Sequence, residues 1–325
     1  MDRFTVRAAA GAAEWEELFA AVDRPHLTQA WAYNEVKRAA GGVSRVSTRL
    51  SVRRLVFERA GSPVAICHVL EKVVAGVCLA SRVNRGPLLL GTRPGDDVAH
   101  GVYSALRRRW RHLTHGVLFV GPALEAGDDG DRVLRDAGFR PRRQQGWSSA
   151  VLDLRLDEAE LRANLAPTWR NRLKSAERSG LTFSALETQE SLTWILSNHV
   201  ENMSAKEFGG PPAPFVHSLC CASPGDWFVG QVWLPGESEP VAGMLVCLFG
   251  NSAEYYVGWF GQGGRKAGAG NFLYWNAVLE ARRRGCLRFD LGGYHLTSTS
   301  ESGLRHFKQG MRGAEYTLMN EWLAF

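Results

Sequence analysis

The sequence predicts an α+β fold in two consecutive domains, and three observations predict it. Its 325 residues are about twice an ordinary domain length. In the second half, the β-rich runs DWFVGQVWL, PVAGMLVCLF and AEYYVGWF precede the helix-patterned NFLYWNAVLEARRRG and then CLRFDLGGY. That order attaches a β-α-β unit to an antiparallel meander. The order of elements in the two halves is loosely similar although no tandem repeat is visible, which points to a duplicated fold.

A strand over residues 4–8 comes first, then helices within 12–40. SVRRLVFERAGSPVAICHVLEKVV reads as a hairpin whose turn contains Gly61, Ser62 and Pro63. A helix over 96–113 and the apolar strand GVLFVG complete a first domain, 1–147. The second, 148–325, opens on the strand SSAVLDL, then two helices, the strand LTFSAL and a long helix over 191–208. GGPPAP, 209–214, cannot continue that helix, because proline lacks the N–H and its ring clashes with the preceding turn. Turns at Pro235-Gly236 and Gly250-Asn251 join the meander.

Composition narrows the function classes. Hydrophobic residues are 45% and charged residues 22%, enough apolar material for ordinary globular cores. The opening MDRFTVRAAAGAAEWEEL has no basic start followed by an apolar run, so no signal peptide is expected. No apolar run approaches the roughly 20 residues that span a bilayer. The six cysteines form no C-x-x-C pair, so neither zinc nor a disulfide framework is indicated; free thiols in a reducing cytoplasm fit. His112 and His115 form an H-x-x-H without a third ligand and read as surface residues. The net charge of +6 is gathered in RRRWR, RPRR, WRNRLK and RRR. Such clusters are either solvated helix faces or the footprint of a phosphate-bearing partner.

Three segments carry candidate chemistry. In GLRHFKQGMRG, residues 303–313, helical spacing puts Leu304, Phe307 and Met311 on one stripe with Lys308 at its edge. By itself this allows a snorkelling lysine. Arg265, Gly268 and Gly270 form an Arg-x-x-Gly-x-Gly run between a strand and a helix, where backbone N–H groups can approach a phosphate. The run resembles the pyrophosphate loop at which GNAT acyltransferases bind acyl-coenzyme A; a plain glycine turn is the other reading. In FDLGGY, Asp290 either caps the following turn or meets a ligand beside Gly292 and Gly293.

These segments also resemble a family. YYVGW, GNFLYWNAVLEARRRGCLRFDLGG and GLRHFKQGMRGAEYTLMNEW are similar to the second domain of the Fem-type aminoacyl-tRNA-dependent peptidyltransferases. Upstream, LTQAWAYNEVKRAAGG, NRGPLLL and PTWRNRLKSAERSGL resemble further family segments in the same order, so the likeness touches most of the chain. It implies two tandem GNAT-like domains, each a mixed, mostly antiparallel sheet flanked by helices, with a substrate channel between them. The last strand is free to pack back on the first domain. The implied activity is amide formation between the aminoacyl group of a charged tRNA and an amine of a peptide-like small molecule or a nucleotide-linked cell-wall precursor. An activated ester needs neither ATP nor a metal, and a cytoplasmic monomer is expected.

The resemblance also implies roles. Phe307-Lys308 match the pair that supplies a lysine to the reaction centre, and Tyr256 matches a hydrogen-bonding partner there, although a core tyrosine is an equal reading. Trp31 and Lys37 match the tryptophan and the phosphate-holding lysine of the early helix. Lys206 lies near a second phosphate-binding position, and Asp290 joins the substrate-binding candidates. Arg170, Arg172, Lys174 and Arg178, with Arg265, Gly268, Gly270 and Arg305, become candidates for tRNA phosphates. Two departures stand out: the long helical hairpin of some members is missing, and the Arg265 run is closer to a coenzyme A loop than the family requires. The second keeps a CoA-dependent N-acyltransferase, with acetyl-CoA as co-substrate, as the alternative. A catalytically inert tRNA- or nucleotide-binding module is a third reading.

Overall fold

The computed structural model of the chain describes residues 4–40, 48–91, 95–110, 116–142, 146–294 and 302–325. His112 and His115 lie outside the described residues. The chain divides into two compact units, Met1–Trp147 with Thr317–Phe325, and Ser148–Tyr316. Each is α+β.

The first unit runs β1 (Phe4–Ala8), α1 (Ala12–Ala20), a 3-10 turn (Leu27–Gln29), α2 (Trp31–Ala40), β2 (Thr48–Arg59), β3 (Ser62–Val74), β4 (Val77–Asn84), β5 (Leu88–Leu89), α3 (Asp96–Arg109), β6 (Val117–Gly121), α4 (Asp128–Asp136) and β7 (Arg140–Pro141). The turn of the β2–β3 hairpin is Ala60-Gly61, both at positive φ, which matches the twist of the flanking strands. Ser62 and Pro63 therefore open β3 rather than form the turn, and Pro63 sits beside the bulge that follows Phe57. The helix expected over 96–113 ends at Arg109, where buried Trp110 turns the backbone to an extended conformation. α3 carries Asp96 and Asp97 at its start and Arg107, Arg108 and Arg109 at its end, the polarity that its dipole favours.

The chain's last strand completes this sheet. β15 (Trp322–Ala324) lies between β6 and β7, with Trp322 opposite Val120 and Pro141. Trp322 is 1% exposed, in a core with Phe57, Tyr103, Leu106, Trp110 and Leu118. Beside it, buried Glu321 is held by Arg82 at 2.7 Å and Arg142 at 2.5 Å, both guanidinium groups also lying over the Phe119 ring.

The second unit runs β8 (Ser148–Asp153), α5 (Glu158–Asn164), α6 (Pro167–Glu177), β9 (Thr182–Leu186), α7 (Gln189–Lys206), α8 (Ala213–Ala222), β10 (Trp227–Trp233), β11 (Ala242–Phe249), β12 (Ser252–Phe260), α9 (Gln262–Ala267), α10 (Ala269–Arg283), β13 (Arg288–Asp290), α11 (Ser302–Gln309) and β14 (Ala314–Thr317). Its strand order is β14-β8-β13-β12-β11-β10-β9. Asp157 and Glu160 form a capping box that starts α5. GGPPAP ends one helix and begins another: Pro212 caps α8 and Pro214 falls in its first turn, where a missing N–H costs nothing. β10, β11 and β12 form the antiparallel meander, and β12 and β13 run parallel on either side of α10. None of the six cysteines is in a disulfide; Cys67, Cys220, Cys247 and Cys286 are buried and Cys221 is exposed. Among the described residues, no helix is long and apolar enough to cross a membrane.

Candidate active site

The second sheet forks. β13 follows β12 only from Ser252↔Arg288 to Glu254↔Asp290. Beyond that point β12 continues against β11 as far as Phe260. The chain after β13 instead stays with β8, through Leu291 N–H to Ala150 O (2.9 Å) and Tyr294 N–H to Ser148 O (3.1 Å). Lys308 occupies the fork. Its Nζ donates to the carbonyls of Gly292 (2.9 Å) and Gly293 (3.2 Å) and lies 4.9 Å from the centroid of the Tyr255 ring. The residue is 1% exposed, so the stripe edge inferred from helical spacing is an interior position. Leu304, expected on the buried stripe, is instead 38% exposed: it lies one turn before Lys308 on the same face, and burial of that face begins only with Phe307 and Lys308.

Lys308 Nζ lies over the ring of Tyr255, the neighbour of Tyr256 on β12. Leu245 pairs with Val257 and Val246 with Tyr255, so Tyr256 is the extra residue of a β-bulge. The bulge puts Tyr255 over Gly258, where an added Cβ would lie 2.2 Å from the phenol oxygen. Tyr255 stacks on Tyr274 at 5.4 Å, Tyr274 meets Phe307 edge-on at 5.1 Å, and Phe307 leans on Trp169 at 5.8 Å. Burial pushes the Tyr255 phenol up to about 12 and the Tyr274 phenol well above its ordinary value, so both are neutral donors at neutral pH. Phe307 thus packs into the aromatic cluster with Tyr274 and Trp169.

Asp290 ends β13 with its carboxylate engaged. It accepts from Ser149 Oγ, from the Gly292 N–H at 2.8 Å and from Tyr316 OH at 2.6 Å. Of the two readings of FDLGGY, the turn cap describes this geometry. Arg305 places its guanidinium 5.9 Å from the Tyr294 centroid.

The Arg265 run is mostly helix. Arg265 lies in the last turn of α9, Gly268 (φ +74) is the joint, and Gly270 is already inside α10. Its local residues explain this: Arg265, Lys266 and Ala267 are good helix formers, and only Gly268 needs the left-handed conformation. The Gly268 N–H donates to Arg265 O, and a Cβ there would lie 3.1 Å from Ala176 Cβ on α6. Gly270 faces Phe260 and Phe307. The start of α10 at Ala269, behind a Gly268 N-cap that has no side chain, is the helix N-terminus that the motif expects.

The basic candidates divide in two. Arg170 donates to Ala163 O at 3.1 Å. Arg172, Lys174, Arg178 and Arg265 are exposed, and Gly268 joins their helices with the Arg172 carbonyl 3.5 Å from its Cβ position. Lys206 is exposed at the end of α7.

In the first unit, Trp31 lies under the Arg54 guanidinium at 3.7 Å and beside buried His68 at 6.3 Å. His68 stacks on Trp15 at 3.8 Å and its Nδ1 meets the Asn34 amide at 2.6 Å; burial and then Arg54 hold it neutral. Lys37 is half-buried, its pKa lowered by that burial, 5.7 Å from the Tyr33 centroid. Tyr274, Trp169, Ser149, Tyr316 and Arg54 were not singled out from sequence.

Residues 163–309 match the model of the GNAT acetyltransferase domain. No curated protein matches the chain. Among solved structures, FemX superposes with a TM-score of 0.80 at 14% identity, covering 98% of this chain and 96% of its own. A tandem GNAT protein from the clavulanic acid biosynthesis pathway, solved without AcCoA, gives 0.52 at 14% identity, with 100% and 98% coverage. The C-terminal domain of a lysylphosphatidylglycerol synthetase from Agrobacterium fabrum, described as putative in that structure's own name, gives 0.51 at 14%, with 96% and 91% coverage. The chain is therefore similar in fold to FemX and to a tandem GNAT protein, and its residues 163–309 match the GNAT acetyltransferase domain.

Proposed function

We propose that this GNAT-type acyltransferase moves the aminoacyl group of a charged tRNA onto an amine of a peptide-like small molecule or a nucleotide-linked precursor. The observation that carries the reading is the Lys308 ammonium fixed in the fork of the second sheet. The acceptor nitrogen attacks the ester carbonyl, the bond to the ribose oxygen breaks, and the proton lost by the amine ends on that oxygen. Negative charge gathers on the carbonyl oxygen in between. A water-shielded cation at a set position lowers that barrier without reorganising. Tyr255, Tyr274 and Phe307 supply the apolar walls that keep the charge effective.

The alternative is favoured by the domain match over 163–309: a CoA-dependent N-acyltransferase. Incubation with a pool of charged tRNAs and candidate amines, and separately with acetyl-CoA, separates the two by product mass. Product from charged tRNA, abolished by RNase, is expected; product from acetyl-CoA alone would overturn the reading.

Two further outcomes are expected. Tyr255→Leu removes the ring beside the ammonium and lowers turnover by about tenfold or more, the scale of a desolvated cation–π interaction. Steady-state rates check it. Arg172→Glu with Arg265→Glu weakens tRNA binding and flattens its dependence on log salt by about one for each phosphate that is no longer neutralised, measured by filter binding.

A further inference from the structure

Nothing in the chemistry of the ammonium itself explains why Lys308 holds one position. Its two described acceptors are backbone carbonyls of consecutive glycines. Glycine pairs are the most permissive backbone available, so their carbonyl directions must be set from elsewhere. Asp290 sets them. One of its oxygens takes the Gly292 N–H at 2.8 Å, across the same peptide turn whose carbonyl receives Lys308. The carboxylate is itself anchored by Ser149, which is fully buried on β8, and by Tyr316 on β14 at 2.6 Å. Gly292 is also confined from its other side. A Cβ there would lie 2.7 Å from both Tyr255 Cδ1 and Tyr255 O, and its φ of +77 suits glycine alone.

We propose that Asp290 is a positioning residue that fixes the Lys308 ammonium through the Gly292-Gly293 turn, with Ser149 and Tyr316 as its anchors, rather than a residue that binds substrate. The inference rests on the reading of Lys308 as the working cation only for its effect on turnover; the effect on the lysine itself is independent of it. A carboxylate that merely capped a turn would stabilise the fold without controlling the lysine. A positioning carboxylate controls how long the ammonium stays sequestered.

The test is brief acylation of the full-length protein with an N-hydroxysuccinimide ester of acetate, read lysine by lysine by peptide mass spectrometry. Exposed Lys174, Lys206 and Lys266 serve as internal references. In the wild type, Lys308 is expected to label far more slowly than these. In Asp290→Ala its labelling rises about tenfold, the scale of losing one hydrogen bond to a charged group, while the references stay unchanged. In the same variant kcat falls about as much and KM stays within about twofold. Asp290→Asn, which keeps an acceptor for the Gly292 N–H, recovers part of both effects. Unchanged Lys308 labelling in folded Asp290→Ala overturns the inference. If that variant does not fold, Tyr316→Phe carries the test, with an expected rise of about threefold, and no rise there overturns it equally. Labelling that depends on Asp290 in a protein that transfers nothing from charged tRNA would overturn the catalytic reading of Lys308 and leave the positioning inference standing.

Discussion

Lys308→Met is expected to lower aminoacyl transfer by about 10² or more, with little change in KM for the charged tRNA. The substitution keeps most of the buried volume and removes only the cation. Its effect on kcat therefore reports charge at the reaction centre rather than a cavity. Fold stability also falls, because the Gly292 and Gly293 carbonyls lose a donor inside the protein. An orphaned buried acceptor costs about 1–3 kcal/mol. That corresponds to a drop of about 2–4 °C in melting temperature per kcal/mol for a domain of this size. Steady-state kinetics beside a thermal melt separate the two effects. Loss of transfer in a variant that remains folded at the assay temperature is the expected pattern.

Trp322→Ala is expected to give a large loss of stability in the first unit. The indole is 1% exposed and lies in the core with Tyr103, Leu106 and Trp110. Truncating a buried tryptophan costs about 3–5 kcal/mol, part transfer and part cavity. Here the loss also loosens β15, which the chain's last residues insert between β6 and β7. Trp322→Phe provides the control. The Trp322 Nε1 is buried without a hydrogen-bond partner, so replacing the indole by phenyl gives up volume but no bond. A cost of about 1 kcal/mol is expected for it, as for a shape change that keeps the aromatic ring. Calorimetry on the two variants checks the ratio; equal melting temperatures for both would contradict the central place of this strand.

Much of the fold was legible because it is written in local patterns. The meander and β-α-β unit were readable from alternating β-rich runs, two turns and one helix-patterned stretch. The Phe307-Lys308 pair could be located by its place before the final strands. What escaped was set by long-range geometry. A bulge opposite Leu245 and Val246 breaks the period of two in β12, so the faces of Tyr255 and Tyr256 could not be read from strand alternation. The burial of Lys308 depends on a fork between β12 and β13 that no window of the sequence contains. Asp290 looked like a local cap or a ligand site; its anchors are 141 residues away at Ser149 and 26 away at Tyr316. The Arg265 run was legible as glycines ahead of a helix; the short helix that holds Arg265, and the packing of Ala176 and Phe260 against Gly268 and Gly270, were not.

The central claim is that a sequestered ammonium in the second unit stabilises charge during ester-to-amide exchange. Single-turnover transfer with prebound charged tRNA, wild type beside Lys308→Met, tests it most directly, because binding and product release drop out of the rate. Expected is a chemical step slowed by about 10² or more with tRNA affinity preserved. Equal single-turnover rates in the two proteins would contradict it.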